Sequence, residues 1–149
     1  MTDGSAPTLA RRCAETLYAR DKASQSLGMT IEDVGPGRAV LRMLVTETML
    51  NGHDICHGGY VVMVADSAFA FACNTYDQVT VAAGFDVTFL RSARLGDVLV
   101  ATATERTRSG KSGIYDVTVS RATDAGAEVV AEFRGRSRVV AGTVIRVEE

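Results

Sequence analysis

The sequence predicts an α+β domain in which an antiparallel sheet wraps around one long central helix. Three observations carry this. The run from Gly58 to about Tyr76 is apolar around much of a helical circumference. The segments that follow it are strand-like and joined by short Gly-containing turns, which implies antiparallel pairing. A chain of 149 residues reads as a single domain, 1–149, able to bury a core without disulfides or metal.

Taken in order, residues 1–7 read as a loose tail. From Thr8 to about Ser26, Leu9, Cys13, Leu17 and Tyr18 recur at helical spacing, and Gly28 is a stop signal. Met29–Val34 predicts a short strand, and Gly35-Pro36-Gly37 a turn. Arg38–Thr46 alternates, with Ala39, Leu41, Met43 and Val45 on one face and Arg38 and Arg42 on the other, so the two strands form a hairpin. Thr48–His57 is a loop. The central helix follows, its Val61, Val64, Ala65, Ala68, Phe69, Ala72 and Cys73 predicted to be buried. Four strands complete the chain: Val79–Arg91, Val98–Arg106 after the Gly96-Asp97 turn, Gly113–Arg121, and Glu128–Val140. This is the hotdog arrangement. One sheet around one helix leaves edges and a face open, which predicts a homo-oligomer.

Composition excludes several classes. Apolar residues make up 46% and charged residues 23%, with a formal net charge of −2, so no basic nucleic-acid footprint is present. No apolar run approaches the roughly 18 residues of a membrane span, and the N-terminus lacks the apolar core of a signal peptide. Three cysteines, Cys13, Cys56 and Cys73, without framework spacing fit reduced thiols in a cytoplasmic protein.

The stretch Asn51–Cys73 concentrates the chemistry. Asp66 sits among Val64, Ala65, Ala68 and Phe69. A carboxylate there is either a hydrogen-bonded structural residue or one whose desolvation lifts its pKa toward that of a general base. His57-Gly58-Gly59 precedes the helix. It is either a hinge or a site where the free Gly58 amide, at the positive end of the helix, stabilises an oxyanion. Asn51, in Asn51-Gly52, is a turn residue or an amide that orients a water or a carbonyl. His53, Asp54, Cys56 and His57 carry metal-ligand chemistry, but Asn-Gly and Gly-Gly deny the helix that would align the two rings, and no metal site is predicted. A Cys56–His nucleophilic pair lacks a third, activating group. Gly58 and Asp66 are roughly 12 Å apart along a helix, too far to share one carbonyl. If both act, Gly58 of one subunit must face Asp66 of another.

The segments NGHDICHGG, VADSAFAFACN, DVTFLRSARLGD, GKSGIYDVTV and FRGRSR occur in order and at fitting spacing. Together they resemble the hotdog-fold acyl-CoA thioesterases of the phenylacetate-degradation (hydroxyphenylacetyl-CoA) type, over about residues 14–142. The resemblance implies hydrolysis of aryl- or phenylacetyl-type acyl-CoA thioesters, in a site built by two subunits of a dimer of dimers. It implies Asp66 as nucleophile or general base, Gly58 as the backbone donor to the thioester carbonyl, Asn51 as a holder of water or carbonyl, and His57 as an orienting residue. Gly59 belongs to the same substrate-binding element. Segments Phe89-Leu90-Arg91 and Ser109-Gly110-Lys111-Ser112 match those that contact CoA, where Arg91 and Lys111 would supply positive charge or, alternatively, be solvated surface cations. Ser92 stands where the family often has Pro. No cofactor is implied, CoA being part of the substrate. Two other expectations fit the same fold: a non-catalytic acyl-CoA sensor or carrier, which would not need Asp66, and an acyl-thioester hydratase, which needs a His paired with a carboxylate.

Overall fold

The computed structural model describes residues 4–146. Part of the predicted tail, residues 1–3, lies outside the described residues; the rest is shorter than expected, because helix α1 spans Ala6–Arg20. Ser5 caps it, its hydroxyl accepting from the Thr8 amide at 3.4 Å, and Pro7 sits in the first turn, where a missing N–H costs no helical bond.

The single helix predicted to run to Ser26 is two. Asp21 interrupts it, and α2 spans Lys22–Ser26. The Asp21 carboxylate accepts from the Ser24 amide at 2.9 Å and from the Ser24 hydroxyl at 2.7 Å. An Asp side chain offers the backbone a bond that competes with helix continuation and starts a new helix instead.

Strands β1 (Thr30–Gly35) and β2 (Arg38–Leu44) form the predicted hairpin. Ala39, Leu41, Met43 and Val45 are all buried, while Arg38 and Arg42 are exposed. Helix α3 spans Gly58–Cys73, ending three residues before the predicted Tyr76. Asn74 stops it. Its Nδ2 donates to Ala70 O at 2.8 Å and Thr80 O at 3.0 Å, and its Oδ1 accepts from the Thr80 amide at 2.9 Å. These bonds tie the end of α3 to the start of β3 (Thr80–Phe89). The remaining strands are β4 (Val98–Ser109), β5 (Ser112–Thr123) and β6 (Gly126–Val139).

The six strands form one antiparallel sheet in the order β1-β2-β4-β5-β6-β3, curled around α3. Short turns imply neighbouring strands, and β4, β5 and β6 obey. β3 and β4 do not: they lie at separate places in the sheet. Residues 90–97 are a crossing, not a hairpin turn. They pass the N-terminal end of α3, where the Cys56 amide donates to Ala93 O at 2.7 Å and the Gly96 amide to Val45 O at 3.0 Å. β3 is therefore an edge strand whose outer edge has no strand partner among the described residues. It carries exposed Val81, Phe85 and Phe89.

The core lies between α3 and the concave sheet face. Phe69 meets the rings of Tyr115 and Phe133 at 5.6 and 5.8 Å. Gly135 makes room for it: a Cβ there would lie 2.8 Å from the Phe69 ring.

Candidate active site: two half-sites at the ends of one strand

The loop before α3 folds by local bonds. The Asn51 amide donates to Ile55 O at 2.9 Å, and Asp54 adopts a left-handed φ of 57°. Asn51 Oδ1 accepts from the His53 amide at 2.9 Å. This turn role leaves the Asn51 Nδ2 donors without a protein acceptor among the described residues. The His57 amide is held by Met49 O at 2.8 Å. His57 is the N-cap of α3, its Nδ1 accepting from the Gly59 amide at 3.2 Å. That bond requires an unprotonated Nδ1 and fixes the ring. The Gly58 amide, first of the helix, has no partner among the described residues, as expected of a first-turn N–H. Phe89 lies against Gly58 so closely that a Cβ there would be 3.0 Å from its Cζ.

Asn51, Gly58, Phe89, Leu90 and Arg91 line one cleft of about 340 Å³. Arg91 is not free within it. Its Nε pairs with Glu128 at 2.9 Å and its Nη1 donates to Val129 O at 2.8 Å.

Asp66 lines a different cleft, of about 410 Å³, with Leu17, Arg20, Asp21, Phe69 and Val81. Its carboxylate is half-buried and has no hydrogen-bond partner among the described residues. Burial raises its pKa above the ordinary carboxylate value, and the negative charge of Asp21 raises it further. Beneath them, the Ser24 hydroxyl joins Asp21 to the buried Ser67 hydroxyl, 2.8 Å away.

Within one chain, then, Gly58, Asn51, Phe89, Leu90 and Arg91 converge, and Asp66 stands apart. The Ser109–Ser112 segment is farther still. It is the β4–β5 turn, with Gly110 at φ 58° and Lys111 O accepting from the Val139 amide. Gly110 and Ser112 line a crevice with Cys73, at the end of α3 opposite Gly58. That is about 24 Å away for a 16-residue helix.

Burial raises the thiol pKa values of Cys13, Cys56 and Cys73, that of Cys73 to about 12, so these cysteines stay protonated near neutral pH. Cys56 Sγ points to the His57 carbonyl, and the His57 ring faces Gly59, so the two form no catalytic pair. Among the described residues no three His, Cys, Asp or Glu side chains group as metal ligands. Among the described residues no helix is long and apolar enough to cross a membrane.

Leu17, Arg20 and Asp21 were not anticipated in the site. Asp21 is a favoured N-cap residue and so a helix-start signal, but the apolar spacing of α1 masks it.

Residues 53–128 match the family model of the thioesterase superfamily. The chain is 40% identical over 131 residues to the acyl-coenzyme A thioesterase PaaI of Escherichia coli strain K12, covering 88% of this chain and 91% of that protein. The structure of the E. coli PaaI protein from the phenylacetic acid degradation operon superposes with a TM-score of 0.89 at 39% identity, covering 93% of this chain and 99% of that one. The Thermus thermophilus phenylacetic acid degradation protein PaaI, in an N33D mutant form, superposes with a TM-score of 0.75 at 32% identity, over 80% of this chain and all of the other.

Proposed function

Because the chain belongs to the thioesterase superfamily, we propose that it hydrolyses acyl-CoA thioesters of the aryl- or phenylacetyl type to the free acid and CoA. One observation carries the reading: the two half-sites flank opposite ends of β3. Phe89, its last residue, lines the Gly58 cleft, and Thr80, Val81 and Ala82, at its start, line the Asp66 cleft. β3 pairs with β6 on one side only and is one of the two edge strands of the sheet. If two copies pair their β3 strands antiparallel about the middle, the end of one strand meets the start of the other. Gly58 of the partner subunit then approaches Asp66, and one dimer holds two composite sites.

In such a site the Gly58 amide donates to the thioester oxygen as it becomes an oxyanion. His57 holds the helix end and Asn51 offers its free Nδ2 to water or carbonyl. Asp66 attacks the carbonyl or takes a proton from water. Half-buried and without a hydrogen-bond partner among the described residues, it is a better base and nucleophile than a solvated carboxylate. Arg91 and Lys111 are the cations for the CoA phosphates, with Gly59 and the Ser109–Ser112 turn beside them. They lie far apart in one chain, so CoA too would span subunits of a dimer of dimers. The reaction needs no resident cofactor, and three buried free thiols suit the cytoplasm.

The test is CoA release from aryl-acetyl, benzoyl and straight-chain acyl-CoAs by wild type and Asp66→Asn. Release abolished in a folded, CoA-binding variant supports the reading. Binding without release from any substrate by wild type favours a carrier, and undiminished turnover by the variant removes Asp66 from the chemistry.

A further inference from the structure

The cleft of Asp66 is walled by the apolar Leu17, Phe69, Ala70 and Val79, with polar Asn74 and Thr80 where α3 meets β3 and Arg20 and Asp21 where α1 ends. The Asn74 amide donates to Ala70 O and Thr80 O, and the Thr80 hydroxyl to Gln78 O, so these donors are already engaged. Arg20 is the last residue of α1, at the negative end of the helix, where a cation is favoured. Its Nη2 donates to the carbonyl of Val144 at 2.8 Å, which fixes the guanidinium. No carboxylate pairs with it among the described residues. The adjacent Asp21 has both oxygens engaged by Ser24. Arg20 therefore keeps Nε and Nη1 donors unspent at the rim of the cleft.

Resting on the thioesterase reading, we infer that Arg20 is a specificity-determining residue. The acyl group lies between α1 and β3, its carbonyl toward Asp66 and a neutral oxygen substituent, such as a phenolic hydroxyl, on the Arg20 fork. Three considerations select that chemistry. Arg20 is exposed at the rim, so an oxygen that reaches its fork gains a charge-assisted bond, whereas a hydrocarbon acyl group gains none there. An anionic end would meet the charges of Asp21 and Asp66 in the same cleft. A volume of about 410 Å³ admits a substituted ring, being within the roughly 300–1,000 Å³ of small-molecule sites.

The test compares kcat/KM for 4-hydroxyphenylacetyl-CoA and phenylacetyl-CoA in wild type, Arg20→Met and Arg20→Lys, with thermal unfolding as the check on folding. Wild type should favour the hydroxylated ring. Arg20→Met should lower kcat/KM for it roughly tenfold to a hundredfold, the range of one charge-assisted hydrogen bond, while phenylacetyl-CoA changes by less than about twofold. Arg20→Lys, which keeps charge but not the fork, should fall between. Equal losses on both substrates, or no loss on either, overturn the inference. So does wild-type turnover confined to straight-chain acyl-CoAs, although CoA release then still upholds the thioesterase reading. If wild type releases CoA from no substrate, that reading fails and the role of Arg20 falls with it.

Discussion

Asp21 and Asp66 line one cleft, and the charge of the first raises the pKa of the second. Asp21 comes from the break between two helices, Asp66 from the middle of the central helix. If Asp66 must be ionised to act, activity rises with pH as it loses its proton, at a pH above the ordinary carboxylate range. The groups facing it from packed elements are Arg20 at the end of α1, Asp21 at the break before α2 and, on α3 itself, the protonated Cys73 thiol. Asp21→Asn removes the like charge and keeps a side-chain oxygen for the α2 cap. The acid limb of the pH–rate profile should move to lower pH, with the plateau rate little changed. A limb that stays in place would mean that the ionising group is not Asp66.

The same raised pKa is a statement about stability. The folded chain holds the Asp66 proton more tightly than the unfolded chain, so folding takes up a proton between the two values. The protonated form's stability is fully present below the unfolded pKa and is lost as pH rises through the folded one. At neutral pH the ionised, unpartnered Asp66 therefore destabilises the fold. Asp66→Asn should be inactive yet at least as stable as wild type at pH 7, the difference narrowing at acid pH. Denaturant unfolding at both pH values measures this, and a variant clearly less stable at neutral pH would contradict it.

Much of this was legible in the sequence. Asp66 is conspicuous because a carboxylate in an apolar helix needs a reason, and the hairpin of β1 and β2 is legible because Ala39, Leu41 and Met43 alternate with charges. The placement of β3 was not legible. Strand pairing across the helix is decided by where residues 90–97 can run, and that depends on Cys56 bonding to Ala93 and Val45 bonding to Gly96 and Asp97, partners far apart in sequence. The break at Asp21 was hidden because Leu17 and Tyr18 continue a helical rhythm that the Ser24 bonds override. Arg20 and Asp21 join the site only through the resulting packing of α1 on α3.

Gly135 is a packing requirement that no local pattern announces. A Cβ there would meet three atoms of the Phe69 ring at 2.8 to 2.9 Å, and Phe69 is itself held between Tyr115 and Phe133. Gly135→Ala should destabilise the fold by about 1–3 kcal/mol, as overpacking of a rigid core does. Phe69→Leu added to it should cost less than the sum of the two single changes, because the smaller side chain removes the clash. Strict additivity in denaturant titrations would show that the ring is not what the added methyl group meets.

The composite site makes a counting prediction that no single-chain site can reproduce. Gly58→Val spoils the donor half-site by crowding Phe89, and Asp66→Ala removes the carboxylate; each homodimer should be inactive. In a mixed dimer with a site across the interface, one site combines both lesions, and the other combines the intact Gly58 of one subunit with the intact Asp66 of its partner. Random exchange makes about half of the dimers mixed, each with one working site of two, so the mixture should regain about a quarter of wild-type activity. If Gly58 and Asp66 served one carbonyl within a single chain, every chain in the mixture would carry a lesion and no activity would return. Subunit exchange is verified by differently tagged chains purified together, so that a null result reports on the site and not on failed mixing.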